Sequence, residues 1–111
     1  MITLIITYTN EPDSHFDFDY YVSTHLPLGM EHLSAFGLEN WDAEQCSSSI
    51  SGGEPAFHCI THLYFADEQE MRKGFAKYGA ELRIDIPNYT NVAPVFTLAE
   101  NTAHSELIAS R

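Results

Sequence analysis

Along residues 2–9 the chain alternates Ile2, Leu4, Ile6 and Tyr8 with Thr3, Ile5, Thr7 and Thr9. A period of two in strong β-formers predicts a strand with one apolar face. Asn10-Glu11-Pro12-Asp13 ends it. Ser14 then reads as a helix N-cap with Asp17 in the first turn, and a helix is expected to run through His25. Phe18, Tyr21, Val22 and His25 fall three and four apart, on one helical face. Pro27 predicts a kink or break before helix resumes over 28–35, and Gly37 marks the exit.

The weakly patterned stretch 38–50 reads as a second strand, and the β-branched and aromatic run 57–65 as a third. Between them Ser51-Gly52-Gly53-Glu54 reads as a hairpin turn, in a register that sets Cys46 opposite Cys59. Asp67 with Glu70 three positions on is a capping-box pattern, followed by Met71, Phe75, Tyr78 and Leu82 at helical spacing. Pro87-Asn88 stops this helix. The stretch 92–99 gives a last strand, with Pro94 at an unpaired position or a bulge. The order is that of an α+β, ferredoxin-like βαββαβ fold with a four-stranded antiparallel sheet. One domain is expected over 1–100, followed by a C-terminal tail, 101–111. Two helices cover only one sheet face, so a homodimer is expected to cover the other.

Length and composition narrow the function classes. With 111 residues the chain has room for one core, and 44% hydrophobic residues exclude disorder as a whole-chain description. Sixteen Asp and Glu against five Lys and Arg give a net charge of −11, which opposes nucleic-acid backbones and anionic membrane surfaces. The basic residues are Arg72, Lys73, Lys77, Arg83 and Arg111, so the first two-thirds holds no arginine cradle for phosphate. No apolar run approaches the ~20 residues that span a bilayer, and the start lacks a signal-peptide pattern, so a cytoplasmic location is expected. Cys46 and Cys59 are expected to stay thiols without a catalytic part.

His25 follows Tyr21 by one helical turn, and imidazole is the side chain whose ordinary pKa suits proton exchange near neutrality. Two readings stand: an acid or base facing a pocket, or a structural ring donating to the backbone that Pro27 frees near Ser23. Adjacent helical residues point about 100° apart, so Tyr21 rather than Tyr20 shares the His25 face, as an orienting hydroxyl or as core. His58 and His62 lie ~13 Å apart along their strand, and His25 and His32 ~10 Å apart. Neither pair can share a metal ion, and no metal site is expected. Asp85 and Asn88 flank Pro87 either as turn caps or at one end of the pocket. No nucleotide-binding or serine-hydrolase motif is present.

Phe18-Asp19-Tyr20-Tyr21-Val22-Ser23-Thr24-His25-Leu26-Pro27-Leu28 resembles the signature of the EthD family, two tyrosines, three residues, then His-x-Pro-Leu. Asp85-Ile86-Pro87-Asn88-Tyr89-Thr90-Asn91 is similar to a second segment of that family, which is named for ethyl tert-butyl ether degradation. The resemblance implies a dimeric α+β barrel whose sheets pack face to face, with a pocket between sheet and helices in each subunit. Among relatives in that superfamily it implies enzymes of aromatic polyketides, a lactone isomerase and heme-binding proteins. The function expected is a cofactor-independent enzyme, of cyclase, isomerase, dehydratase or monooxygenase type, acting on a hydrophobic aromatic or dicarbonyl molecule. His25 and Tyr21 are its expected catalytic residues, and Phe18, Tyr20, His62, Asp85 and Asn88 its expected substrate contacts. The alternative is a non-catalytic binding protein for heme, which needs one strong axial ligand, or for another hydrophobic small molecule.

Overall fold

The computed structural model describes residues 1–103. Strand β1 (Ile2–Thr9) pairs antiparallel with β3 (Phe57–Phe65) on one side and with β4 (Val95–Glu100) on the other. Strand β2 (Leu38–Gln45) pairs with β3, so the sheet order is β2-β3-β1-β4, that of a ferredoxin-like fold. Leu4 faces Leu63 and Leu98 across its two ladders, and Ile6 faces Thr61 and Phe96. Because cross-strand partners point the same way, these residues share one face. Leu4, Ile6, Tyr8, Cys59, Leu63 and Phe65 form its buried core with Leu26, Leu33 and Met71 from the helices. The alternation in β1 and β3 thus separates the two faces as the sequence pattern predicts.

The expectation of an α+β barrel is corrected. The sheet is open, with β2 and β4 as its two edges rather than neighbours. Four strands spaced ~4.8 Å apart leave those edges roughly 14 Å from each other, and closing a sheet around a filled interior takes about eight. The C-terminal tail expected over 101–111 lies outside the described residues from position 104 onward.

The first helical segment departs from expectation in two ways. Its N-cap is Asp17, whose carboxylate accepts from the Tyr20 backbone N–H, so the helix starts three residues after the expected cap, Ser14. Pro27 does not break it. Helix α1 (Phe18–Tyr20) runs into a π-helical segment, Tyr21–His25, and straight on into α2 (Leu26–Leu33). A proline in a helix lacks a donor and clashes with the carbonyl four residues back. The wider turn, closed by Leu26 N–H donating to the Tyr21 carbonyl five residues back, accommodates that clash while Pro27 sits in the first turn of α2. Gly37, at φ +81°, then ends the helix in the left-handed region that glycine enters without steric cost.

Helix α3 (Glu68–Asp85) is capped by Asp67 as its sequence indicates. It approaches α2 so closely that a Cβ on Gly74 would sit 2.9 Å from Leu33 Cδ2 and 3.0 Å from Phe36 Cβ. A 3₁₀ turn, Ile86–Asn88, carries the chain toward β4. In the β2–β3 ladder Gln45, not Cys46, stands opposite Cys59, while the Cys46 N–H donates to the His58 carbonyl. The register is one residue off the expected one because the connection is asymmetric about Gly52 and Gly53; a separate slip between Leu38 and Asn40 shifts only the far end of the ladder. Pro94 precedes β4 and costs the ladder nothing.

Candidate functional site

Between the helix-covered sheet face and helices α2 and α3 lies a cavity of about 800 Å³. Its walls are mostly apolar, with Leu4 and Ile6 from β1, Phe96 and Leu98 from β4, and Leu33 and Phe75 from the helices. Polar groups enter it at Tyr8, Tyr21, His25, Arg72 and Arg83. A roomy apolar cavity with few convergent polar groups is the usual form of a small-molecule site.

The π-helical segment places both Tyr21 and His25 on the buried side, at 1% and 9% exposure, while Val22 turns outward. The His25 Nδ1 lies 2.8 Å from Oδ2 of Asp85 at the end of α3. The Nε2 lies 3.3 Å from the Tyr89 hydroxyl, which is in turn 2.7 Å from the Tyr8 hydroxyl. Burial pushes the imidazole below its ordinary pKa and outweighs the Asp85 carboxylate, which acts in the opposite sense. The ring is therefore neutral at pH 7. Since an ionised carboxylate can only accept, the proton sits on Nδ1 and donates to Asp85, leaving Nε2 as an acceptor for Tyr89. The result is a directed chain in which Tyr8 donates to Tyr89, Tyr89 to His25, and His25 to Asp85.

Burial by itself raises the Asp85 pKa, but the donors around it more than compensate and hold the carboxyl below its ordinary value. Those donors are the Tyr20 hydroxyl at 2.7 Å, Asn88 Nδ2 at 2.9 Å and His25. Burial first, and neighbouring ionisable groups second, raise the Tyr8 and Tyr21 hydroxyls far above the ordinary phenol range, and burial raises Tyr89 likewise. All three are protonated donors at any physiological pH.

The expected site residues thus sort by position. His25 and Tyr21 line the cavity. Tyr21 reaches His25 only through its ring, stacked at 5.5 Å and 16°, because its hydroxyl bonds Thr61 Oγ1 at 2.7 Å. Asp85, Tyr20 and Asn88 stand behind His25, away from the cavity, as the shell that fixes its ring. Phe18 packs in the aromatic cluster against Phe16 and Tyr21. The structure does not bring His62 to the cavity. It sits on the opposite sheet face, 2.8 Å from Asp42 Oδ1, with Tyr64 donating to Oδ2 of the same carboxylate. The structural reading of His25, a bond to backbone near Ser23, does not form, since both ring nitrogens have side-chain partners.

Tyr8 and Tyr89 escaped the sequence reading. Tyr8 continues the apolar parity of β1, so its register marked it as facing the helices, though as core rather than as a polar group. Tyr89 lies within the Asp85–Asn91 segment, but only the fold shows that it turns back over His25. Cys59 is fully buried, its thiol pushed up to about 11 chiefly by burial, and this removes it from nucleophilic chemistry. Among the described residues no group of three or more His, Cys, Asp or Glu is arranged to hold a metal ion. Among the described residues no helix is long and apolar enough to cross a membrane.

Comparison with solved structures finds the same fold over almost the entire chain. An EthD-like protein from Ralstonia eutropha superposes with a TM-score of 0.84 at 27% identity, over 94% of each chain. An ethyl tert-butyl ether degradation family protein from Bacillus halodurans gives 0.66 at 20% identity, over 92% of this chain and 99% of that one. A protein from Arabidopsis thaliana gives 0.68 at 8% identity, over 95% and 99%, which is a likeness of fold alone. No family model and no curated protein matches the chain.

Proposed function

The chain is an EthD-family protein of ferredoxin-like fold, and from that premise we propose that it is a cofactor-independent enzyme acting on a hydrophobic aromatic or dicarbonyl molecule held in the cavity. The observation that carries this reading is the neutral His25, exposed to an apolar cavity on one side and fixed by Asp85 on the other. His25 Nε2 is the base. Asp85 sets the tautomer and stabilises the imidazolium that forms when the ring takes a proton. Tyr8 and Tyr89 stay protonated, and their hydroxyls form the donor chain that ends on Nε2. Tyr21 orients the imidazole by stacking. Proton removal next to a carbonyl is common to isomerisation, dehydration and cyclisation, so the geometry supports that step and selects no single outcome.

The protein works as a homodimer joined through the outer sheet face. That face carries Ile5, Ile60 and Val95 among Thr3, Thr7 and Thr97, with the polar cluster of Asp42, His62 and Tyr64 toward β2, and no helix of the described residues covers it.

A panel of aryl ketones and β-dicarbonyl compounds, followed by absorbance, tests the enzymatic reading. Turnover that falls about 10²- to 10⁴-fold in His25→Gln, with the fold retained, is the expected result. Turnover that survives in His25→Gln contradicts it.

A further inference from the structure

The basic residues of this acidic chain are placed unevenly. All four cationic side chains among the described residues, Arg72, Lys73, Lys77 and Arg83, lie on α3. Two of them, Arg72 and Arg83, line the cavity. Eleven residues of α-helix make three turns and about 20°, so these two arginines project from the same side of α3, roughly 16 Å apart along its axis. Phe75, Gly79 and Leu82 line the cavity between them.

Their partners differ. Arg72 Nε is 2.9 Å from Glu68, Lys73 is 3.4 Å from Glu70, and Lys77 lies over the Tyr78 ring. Neither Lys77 nor Arg83 forms an ion pair with any of the described residues, in a chain with sixteen carboxylates, and of the two only Arg83 lines the cavity. A cation in the last turn of a helix is favoured by the helix dipole, and this accounts for an arginine at position 83. It does not account for a guanidinium that borders an apolar cavity without a carboxylate. A guanidinium presents five donors in a rigid fork that matches a carboxylate and has no acceptor, so an incoming anion is the complement it lacks. The net charge of −11 makes that placement more telling, since elsewhere the surface repels anions.

We propose that the ligand of the cavity is an amphipathic organic acid, its apolar body between the sheet and helices α2 and α3 and its carboxylate on the guanidinium of Arg83. This rests on the reading of the cavity as a ligand site and adds the charge of what enters it. Because Arg83 is exposed, the contact forms at the mouth and weakens as salt is raised.

Two fluorescent probes with the same rings test this, anilinonaphthalene sulfonate, an anion, and phenylnaphthylamine, its neutral counterpart. Both are titrated into the wild-type protein and three variants. Gly79→Leu fills the cavity, since a Cβ at Gly79 meets nothing within 4 Å and the position lines the wall. Arg83→Gln removes the guanidinium. Lys77→Gln removes the same charge from α3 away from the cavity. The proposal expects both probes to bind the wild type and to be lost in Gly79→Leu. It expects Arg83→Gln to weaken the sulfonate about tenfold, the loss of one charge-assisted hydrogen-bonded pair, and to leave the neutral probe within twofold. Lys77→Gln should leave both unchanged. If both probes bind and Gly79→Leu blocks them but Arg83→Gln weakens neither, or weakens the sulfonate no more than Lys77→Gln does, the anionic assignment is overturned while the cavity stands. If neither probe binds, or Gly79→Leu spares both, the cavity is not a ligand site and the proposal falls with it.

Discussion

The Nδ1 atom of His25 lies 2.8 Å from Oδ2 of Asp85, although sixty residues separate them in the chain. This contact ties the π-helical segment of the first helix to the last turn of α3. The Asp85 carboxylate is already engaged by Tyr20 and Asn88, so it cannot follow the His25 ring if the ring turns. His25 is thereby held with one nitrogen committed to the protein and the other directed toward Tyr89 and the cavity. The two segments that resemble the EthD family meet at this point, the first supplying Tyr20, Tyr21 and His25, the second Asp85, Asn88 and Tyr89.

The buried imidazole makes stability depend on pH. The His25 pKa is lower in the folded protein than in the unfolded chain, so below about pH 6.5 the unfolded state binds more protons. Stability is then full above that pH and falls as pH drops from there toward the folded-state pKa. The depressed Asp85 pKa acts in the same direction at lower pH, since its contribution is present above the ordinary carboxylate range and is lost as that group is protonated. Urea unfolding of wild type and His25→Gln at pH 7, 6 and 5 isolates the histidine part. The wild type should lose more stability than the variant between pH 7 and 5, and equal losses would refute the assignment.

Tyr89 and Tyr21 both touch the His25 ring, but only one does so through its hydroxyl. Tyr89→Phe removes a buried hydroxyl that joins Tyr8 to His25 and should cost roughly 1 to 3 kcal/mol. It also removes a donor to the neutral ring, so the His25 pKa should rise toward its ordinary value. Tyr21→Phe should cost a similar amount through Thr61 and leave the His25 titration where it is. Chemical denaturation and an NMR titration of the imidazole check both; a Tyr21→Phe variant that shifts His25 more than Tyr89→Phe does would reverse the roles assigned here.

The two faces of the sheet were legible because β1 and β3 alternate with period two, and α3 because its cap and apolar spacing agree. The path of the first helix was not. Proline usually ends a helix, and nothing local to Pro27 signals that a π-helical segment will carry the chain past it. That segment also decides which of Tyr21, Val22 and His25 face inward: it keeps Tyr21 and His25 on the buried side and turns Val22, expected on the same face, outward. His25 and Asp85 could be singled out from residue type and motif. Their pairing, and the turn of Tyr89 over the ring, depend on how α3 ends against the first helix, which is a matter of tertiary packing. His62 lies on the outward parity of β3, and the parity that separates it from Cys59 and Leu63 also separates it from the cavity.

A homodimer through the outer sheet face should be sensitive to charge at its centre. Ile5 stands on β1 between His62 of β3 and Thr97 of β4, half-buried on that face. Light scattering of the wild type should give twice the 12.5 kDa chain mass at micromolar concentration. Ile5→Lys should give a monomer, or a protein whose melting temperature rises with concentration as a weakened dimer requires. A wild-type particle of 12.5 kDa would contradict the dimer.

The central claim is that His25 is a neutral base whose unprotonated Nε2 addresses the cavity. Nitrogen NMR of the imidazole at pH 7, with and without phenylnaphthylamine, addresses it most directly. The account predicts a proton on Nδ1 and none on Nε2, a titration below the ordinary histidine range, and a shift of the Nε2 signal when the probe binds. A ring protonated on Nε2 at pH 7, or a bound probe that leaves the Nε2 signal unmoved, would contradict it.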